Sequence, residues 1–159
     1  MLATDSVALN PNPLVQALGK PADEFTRADI IRFVTEQSIP MLNLRYVGGD
    51  GRLKELNFAI QSVAHLDRIL TMGERVDGSS LFDVVDATSS DLYVVPQLRT
   101  AFLNPFTALP TLDIMCGFYD VEGNPLVSAP QQILRRAQEA LEAETGCRLE
   151  ALGELEYYL

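Results

Sequence analysis

Gly48-Gly49-Asp50-Gly51 stands between two strand-like runs, Met41–Val47 and Arg52–Ile60, and leaves this stretch of chain little freedom. Three glycines and an aspartate supply residues that tolerate positive φ, which is the chemistry of a tight hairpin between strands. Before the hairpin, Thr26 and Asp29 have capping-box spacing, with Asp in place of the usual Glu or Gln. Ile30, Ile31, Phe33 and Val34 continue as an amphipathic helical stripe to about Gln37, and Pro40 ends it. After the hairpin, Ser62 caps a second helix with Val63, Leu66, Ile69 and Leu70 on one face, and Gly73 stops it.

The rest of the chain follows from turn signals and periodicity. Arg75–Ser80 reads as a polar loop between apolar segments. Leu92–Val95, Arg99–Leu103 and Leu112–Tyr119 are strand candidates, separated by Pro96 and by Pro105 and Pro110. Glu122-Gly123-Asn124-Pro125 makes a turn, and Pro130 sits at the first position of a helix that Gly146 terminates. A final strand is expected over Leu149–Leu159. Residues 1–24 read as a lead-in, punctuated by Asn10-Pro11-Asn12-Pro13 and Gly19-Lys20-Pro21. They allow at most a short helix over Pro13–Leu18, and no order is expected before about residue 20. The fold class is α+β: a mixed sheet with two early helices packed on it, then a helix and strand that begin something new.

Composition sets the class of partner. The chain has 159 residues, 47% of them hydrophobic and 21% charged, as in a globular protein with a packed core. A net charge of −10 argues against nucleic acid or an anionic membrane surface as partner, since both need clustered positive charge. No stretch approaches the ~20 apolar residues that span a bilayer. Met1-Leu2-Ala3-Thr4-Asp5 has neither the basic nor the apolar region of a secretory signal. Cys116 and Cys147 cannot define a disulfide framework and suit a reducing, cytoplasmic location.

Two places invite chemistry. Glu154 and Glu156 flank Leu155 on the expected last strand, where residues two apart share a face. Two carboxylates on one face suit a hard cation such as Mg²⁺ or Mn²⁺, although such a pair is more often the solvent-facing edge of an amphipathic strand. Asp77-Gly78-Ser79-Ser80 could bind a cation or an anion, but is more often a turn in which Asp and Ser satisfy nearby amides. His65 has no second ligand near it and reads as a helix-packing or surface histidine. Arg135-Arg136 reads as a solvated face. No phosphate-binding glycine loop and no nucleophile elbow is present.

Taken together, these segments resemble the β-grasp domain of glutamine synthetase, in a type I-like form. Val76-Asp77-Gly78-Ser79-Ser80-Leu81 is similar to the family's F-D-G-S-S. Ser89-Ser90-Asp91-Leu92 with Pro96 is similar to its E-S-D-M and P-D, and Thr100 with Pro105-Phe106 to its T and P-F. Gly123-Asn124-Pro125 and Leu134-Arg135-Arg136-Ala137 resemble its G-x-P and R-x-x-L-K/R-R-A. Glu154-Leu155-Glu156-Tyr157-Tyr158 resembles E-x-E-F-F, the first strand of the catalytic domain. The resemblance divides the chain into an extension over 1–23, a β-grasp domain over 24–120, and the cut-short beginning of a catalytic domain over 121–159.

The resemblance implies an enzyme of nitrogen metabolism that joins glutamate and ammonium with ATP through a γ-glutamyl phosphate, in a funnel between neighbouring subunits of a homo-oligomeric ring. It assigns metal-ligand roles to Glu154, toward ATP, and Glu156, toward glutamate, with Mg²⁺ or Mn²⁺ as the ions. It assigns Asp77 to binding and deprotonating ammonium, with Ser80 nearby, in a loop that reaches the adjacent subunit's site. A carboxylate there favours NH₄⁺ and can accept its proton. Phe82-Asp83-Val84-Val85 departs from the family's Gly and aromatic at that point, and the chain holds no Trp. The family's other ligands, ATP-binding elements and glutamate-binding arginine lie beyond the matched length, so the 159 residues alone are expected to be inactive and to bind no cofactor tightly. The other reading is a stand-alone β-grasp module that docks on synthetase rings.

Overall fold

A computed structural model of the chain describes residues 7–86 and 90–158. In chain order the elements are α1 (Pro13–Leu18), α2 (Arg27–Glu36), β1 (Met41–Val47), β2 (Leu53–Ala59), α3 (Val63–Met72), β3 (Glu74–Asp77), β4 (Asp91–Pro96), β5 (Phe102–Leu103), β6 (Thr111–Tyr119) and α4 (Pro130–Thr145). The fold is α+β, with a mixed six-stranded sheet in the order β2-β1-β6-β4-β3 and β5 added beside β6.

β6 organises the sheet. It runs parallel to β1, Met41 opposite Thr111 through Arg45 opposite Met115, and antiparallel to β4 and β5. The hairpin forms in the register from Met41 opposite Ala59 to Val47 opposite Leu53. It closes with Gly51 at φ 73°, a conformation that only the missing Cβ makes cheap. Alternation along paired strands puts Leu42, Leu44 and Tyr46 of β1, Leu112, Ile114 and Phe118 of β6, and Leu92 and Val94 of β4 in one apolar core. Ile30, Phe33 and Val34 of α2 and Leu66, Ile69 and Leu70 of α3 bury their stripes in that core. Gly73, at φ 69°, lets the chain leave α3 against β4, where a Cβ would stand 2.2 Å from the Val94 carbonyl oxygen.

Four expectations from sequence need correction. The lead-in is ordered well before residue 20. Asn12 caps α1 by accepting from the Leu14 N–H at 3.0 Å and donates to the Ala101 carbonyl at 2.8 Å, and Leu14 and Val15 are buried. Two adjacent apolar residues are too few to produce a periodic signal, so the prolines dominated the reading. Arg75–Ser80 is not simply a loop: β3 pairs with β4, Val76 opposite Leu92, and a single 3₁₀ turn follows over Gly78–Ser80. In Arg99–Leu103 only Phe102 and Leu103 are strand, because Leu98–Thr100 form a turn whose Thr100 hydroxyl accepts from the Met115 N–H at 2.9 Å. No strand forms over 149–158. Among the described residues nothing lies beside that segment to complete a ladder, and an unpaired strand has no backbone partners. Residues 1–6, Ser89 and Leu159, all named in the sequence reading, lie outside the described residues.

The capping box at α2 forms as the spacing predicts. Thr26 and Asp29 bond reciprocally, and Lys20 pairs with the Asp29 carboxylate. These donors, Lys20 first, pull the Asp29 carboxyl down to about 2. A carboxyl held below its unfolded value contributes stability that is fully present above the ordinary carboxylate range and is lost as pH falls through the folded value. Urea unfolding of Asp29→Asn should therefore show a lower midpoint than the parent at about pH 6, with the gap closing toward about pH 2.

Candidate functional site

The site begins where β3 ends. Asp77 caps the 3₁₀ turn, its Oδ1 accepting from the Ser79 N–H at 3.1 Å and from the Ser79 hydroxyl at 2.7 Å. The Ser80 hydroxyl donates to the Asp77 backbone carbonyl at 2.8 Å. Gly78 forms the buried base: its N–H donates to the Ser90 carbonyl at 2.7 Å, and a Cβ there would stand 2.5 Å from Leu92 Cδ1. The carbonyl of Gly78 accepts from Leu81 and Phe82 N–H groups at 3.0 and 2.9 Å, closing the turn. Asp77 and Ser80 themselves are exposed.

The electrostatics follow from these bonds. The Ser79 hydroxyl, then the Ser90 side chain and the Ser79 and Ser80 amides, hold the Asp77 carboxyl below the usual carboxylate range. Asp91 stands opposite Asp77 in the ladder, and Arg75 pairs with Asp91 at 3.1 Å. Two carboxylates facing each other across a strand pair repel, and one nearby arginine offsets part of that. The result is an ionised carboxylate on a fixed turn, facing outward and attractive to a small cation.

The structure brings Asp77 and Ser80 together in that turn. Glu154 and Glu156 are exposed and lie in the segment without regular structure. Among the described residues no hydrogen bond or ion pair joins either glutamate to the turn, and no group of three or more His, Cys, Asp or Glu is placed to hold a metal ion. The pair still offers oxygen donors of the kind Mg²⁺ or Mn²⁺ takes, too few by themselves for a six-coordinate site. The capped turn expected over Asp77–Ser80 forms, with Ser79 bonding the carboxylate, and sequence reasoning missed only the action of the Ser90 side chain on it. The i, i+2 spacing of Asp77 and Ser79 is the signature of an Asx turn.

The remaining candidates have structural roles. His65 Nδ1 accepts from the Gln61 N–H at 3.4 Å, Arg136 donates to the Val127 carbonyl at 3.0 Å, and Arg135 lies 3.7 Å from Glu139. Cys116 is buried, which pushes its thiol up to about 12, and no disulfide links it to exposed Cys147. A hollow of about 470 Å³ adjoins the Asp77 turn, lined by Gly49, Lys54, Ser80, Phe82, Asp83 and Ser128 among others.

Residues 38–121, just over half of the chain, match the family described as the glutamine synthetase β-grasp domain. Glutamine synthetase of Staphylococcus aureus (strain Mu50 / ATCC 700699) is 29% identical over 124 residues, covering 77% of this chain and 27% of that protein. Glutamine synthetase of Staphylococcus epidermidis is 28% identical over the same length and shares. Among solved structures, Plasmodium falciparum glutamine synthetase superposes with a TM-score of 0.63 at 18% identity, over 76% of this chain and 23% of that one. The chain thus spans about a quarter of the length of the curated relatives it matches.

Proposed function

The chain belongs to the glutamine synthetase β-grasp domain family, and on that premise we propose that it is the N-terminal part of a glutamate–ammonia ligase, inactive by itself. In this reading 1–23 is an extension, 24–120 the β-grasp domain and 121–159 the beginning of the catalytic domain. The observation that carries the proposal is the Asp77 turn: Asp77-Gly78-Ser79-Ser80, which resembles the family's D-G-S-S, folds into a hydrogen-bonded turn with an exposed carboxylate held below its usual range. The turn exposes Asp77 and Ser80 and is anchored to the core through Gly78 and Phe82. It suits presentation of Asp77 to the site of a neighbouring subunit in a homo-oligomeric ring.

There Asp77 binds NH₄⁺ by charge and accepts its proton, releasing ammonia as the nucleophile that attacks the γ-carbonyl of γ-glutamyl phosphate and expels inorganic phosphate. Keeping the carboxylate ionised favours the binding step, because a neutral acid offers no attraction to the cation. Ser80, tied to the Asp77 backbone, keeps the turn closed beside it. Glu154 and Glu156 would hold Mg²⁺ or Mn²⁺, and the chemistry the ion would supply there is neutralisation of phosphoryl charge. Their exposure here fits ligands whose partners come from the rest of the catalytic domain. No helix among the described residues is long and apolar enough to cross a membrane, and a cytoplasmic setting supplies the ATP and ammonium the reaction needs.

The reading is tested by following glutamine formation from glutamate, ammonium and ATP with Mg²⁺. The 159-residue chain should give none, and the same chain continued by its catalytic domain should give ATP-dependent product. ATP-dependent turnover by the chain alone would overturn the assignment of the remaining machinery to other sequence.

A further inference from the structure

The Asp77 turn is held from outside as well as from within. The Gly49 N–H, at the tip of the β1–β2 hairpin, donates to the Leu81 carbonyl at 2.9 Å. One residue further, the Phe82 ring is buried edge-on against Phe118 of β6, with centroids 4.8 Å apart. Phe118 in turn meets Tyr46 of β1 edge-on at 5.5 Å. Edge-to-face aromatic pairs of this kind have a directional preference that plain apolar contact lacks. The hairpin therefore grips the exit of the turn twice, through its tip and through the core beneath it. There is no slack at the tip: a Cβ on Gly49 would stand 3.0 Å from the Leu81 carbonyl oxygen and 3.0 Å from Phe82 Cδ1. Phe82 also opens the stretch where this chain departs from the resembling D-G-S-S pattern.

We propose that Gly49 and Phe82 are positioning residues for Asp77: together they latch the exit of the turn so that the carboxylate is presented in one orientation. Neither touches the carboxylate. They act through Leu81 and Phe82, whose N–H groups close the turn onto Gly78. The functional consequence rests on the reading of Asp77 given above, while the latch itself is a property of the chain and is measurable without turnover.

The test compares the full chain with Gly49→Ala, Phe82→Leu and Phe82→Ala, by amide hydrogen exchange and by NMR titration of the aspartate carboxyls. A latch predicts faster exchange at Leu81 and Phe82, by about tenfold or more in Gly49→Ala, with the β6 amides unchanged. Asp77 should titrate nearer the ordinary carboxylate value. Asp120, held low by Asn124 in a separate turn, should not move and serves as the internal control. Phe82→Leu should shift both readouts less than Phe82→Ala, as partial rescue by volume. Exchange that rises equally throughout β6 with Asp77 and Asp120 both fixed would reduce Gly49 and Phe82 to ordinary packing and overturn the latch. So would three variants whose turn exchanges like the parent. In the proposed full-length enzyme, Gly49→Ala should raise KM for ammonium and leave KM for ATP alone. A loosened turn with unchanged ammonium kinetics would instead overturn the role given to Asp77, which separates the two failures.

Discussion

In the proposed full-length ligase, Asp77→Asn should lower kcat/KM for ammonium by about 10²–10⁴-fold, the range lost when a positioned general base is removed. The amide is nearly the same shape and keeps an oxygen that accepts from Ser79, so the turn has no reason to unfold. What disappears is the charge that attracts NH₄⁺ and the basicity that takes its proton. Because the surrounding donors hold the Asp77 carboxyl below its usual range, the parent group stays ionised throughout the neutral region. The loss in Asp77→Asn should accordingly be flat across neutral pH, and KM for ATP should stay put. Steady-state kinetics with ammonium and ATP varied separately reads both.

Asp113→Ala destabilises the chain by about 3–5 kcal/mol, the cost of removing one partner from a buried ionic pair, against a total of about 5–15 for a domain. Asp113 is wholly buried on β6 and accepts from Asn43 at 2.9 Å, from Asn104 at 3.0 Å and from the Arg45 guanidinium. Asn43 accepts in turn from Asn57 at 2.8 Å, and Arg45 also pairs with Glu55 at 3.1 Å. The network thus links β2, β1, β6 and the segment after β5 on the sheet face turned away from α2 and α3. Alanine leaves the donors of Asn43, Asn104 and Arg45 without their shared acceptor, with Asn43 buried and the other two partly so. Asp113→Asn keeps one acceptor oxygen and should cost about 1–3 kcal/mol. Urea midpoints with unchanged slopes measure both.

That network also shows where reading the sequence stops. The helices α2, α3 and α4 were legible with their ends, because Thr26, Ser62, Gly73, Pro130 and Gly146 act within a turn or two of chain. The hairpin was legible for the same reason. Asp113 sits inside an apolar run, and its partner Asn43 lies 70 residues away, so nothing local marks it as the hub of a polar cluster. β3 was hidden because only Val76 of its four residues is apolar and its identity as a strand depends on Asp91–Val94 opposite it. The opposite error occurred at 149–158, where alternation is present and the pairing partner is not. At the site, the D-G-S-S resemblance located the Asp77 turn, but Ser90's action on it and the grip of Gly49 and Phe82 depend on contacts across the sheet.

In the proposed enzyme, Asp77 serves a site built on another subunit's Glu154 and Glu156. Intersubunit complementation tests it most directly. Full-length Asp77→Asn and Glu156→Gln subunits, each inactive as a homo-oligomer, are co-assembled at equal ratio and assayed for glutamine formation. Random mixing predicts that about a quarter of the sites combine an intact Asp77 with an intact glutamate pair, and recover that share of parental activity. Mixed rings that stay as inactive as either parent would place Asp77 and Glu156 in the same subunit's site, or outside the site altogether, and would contradict the account.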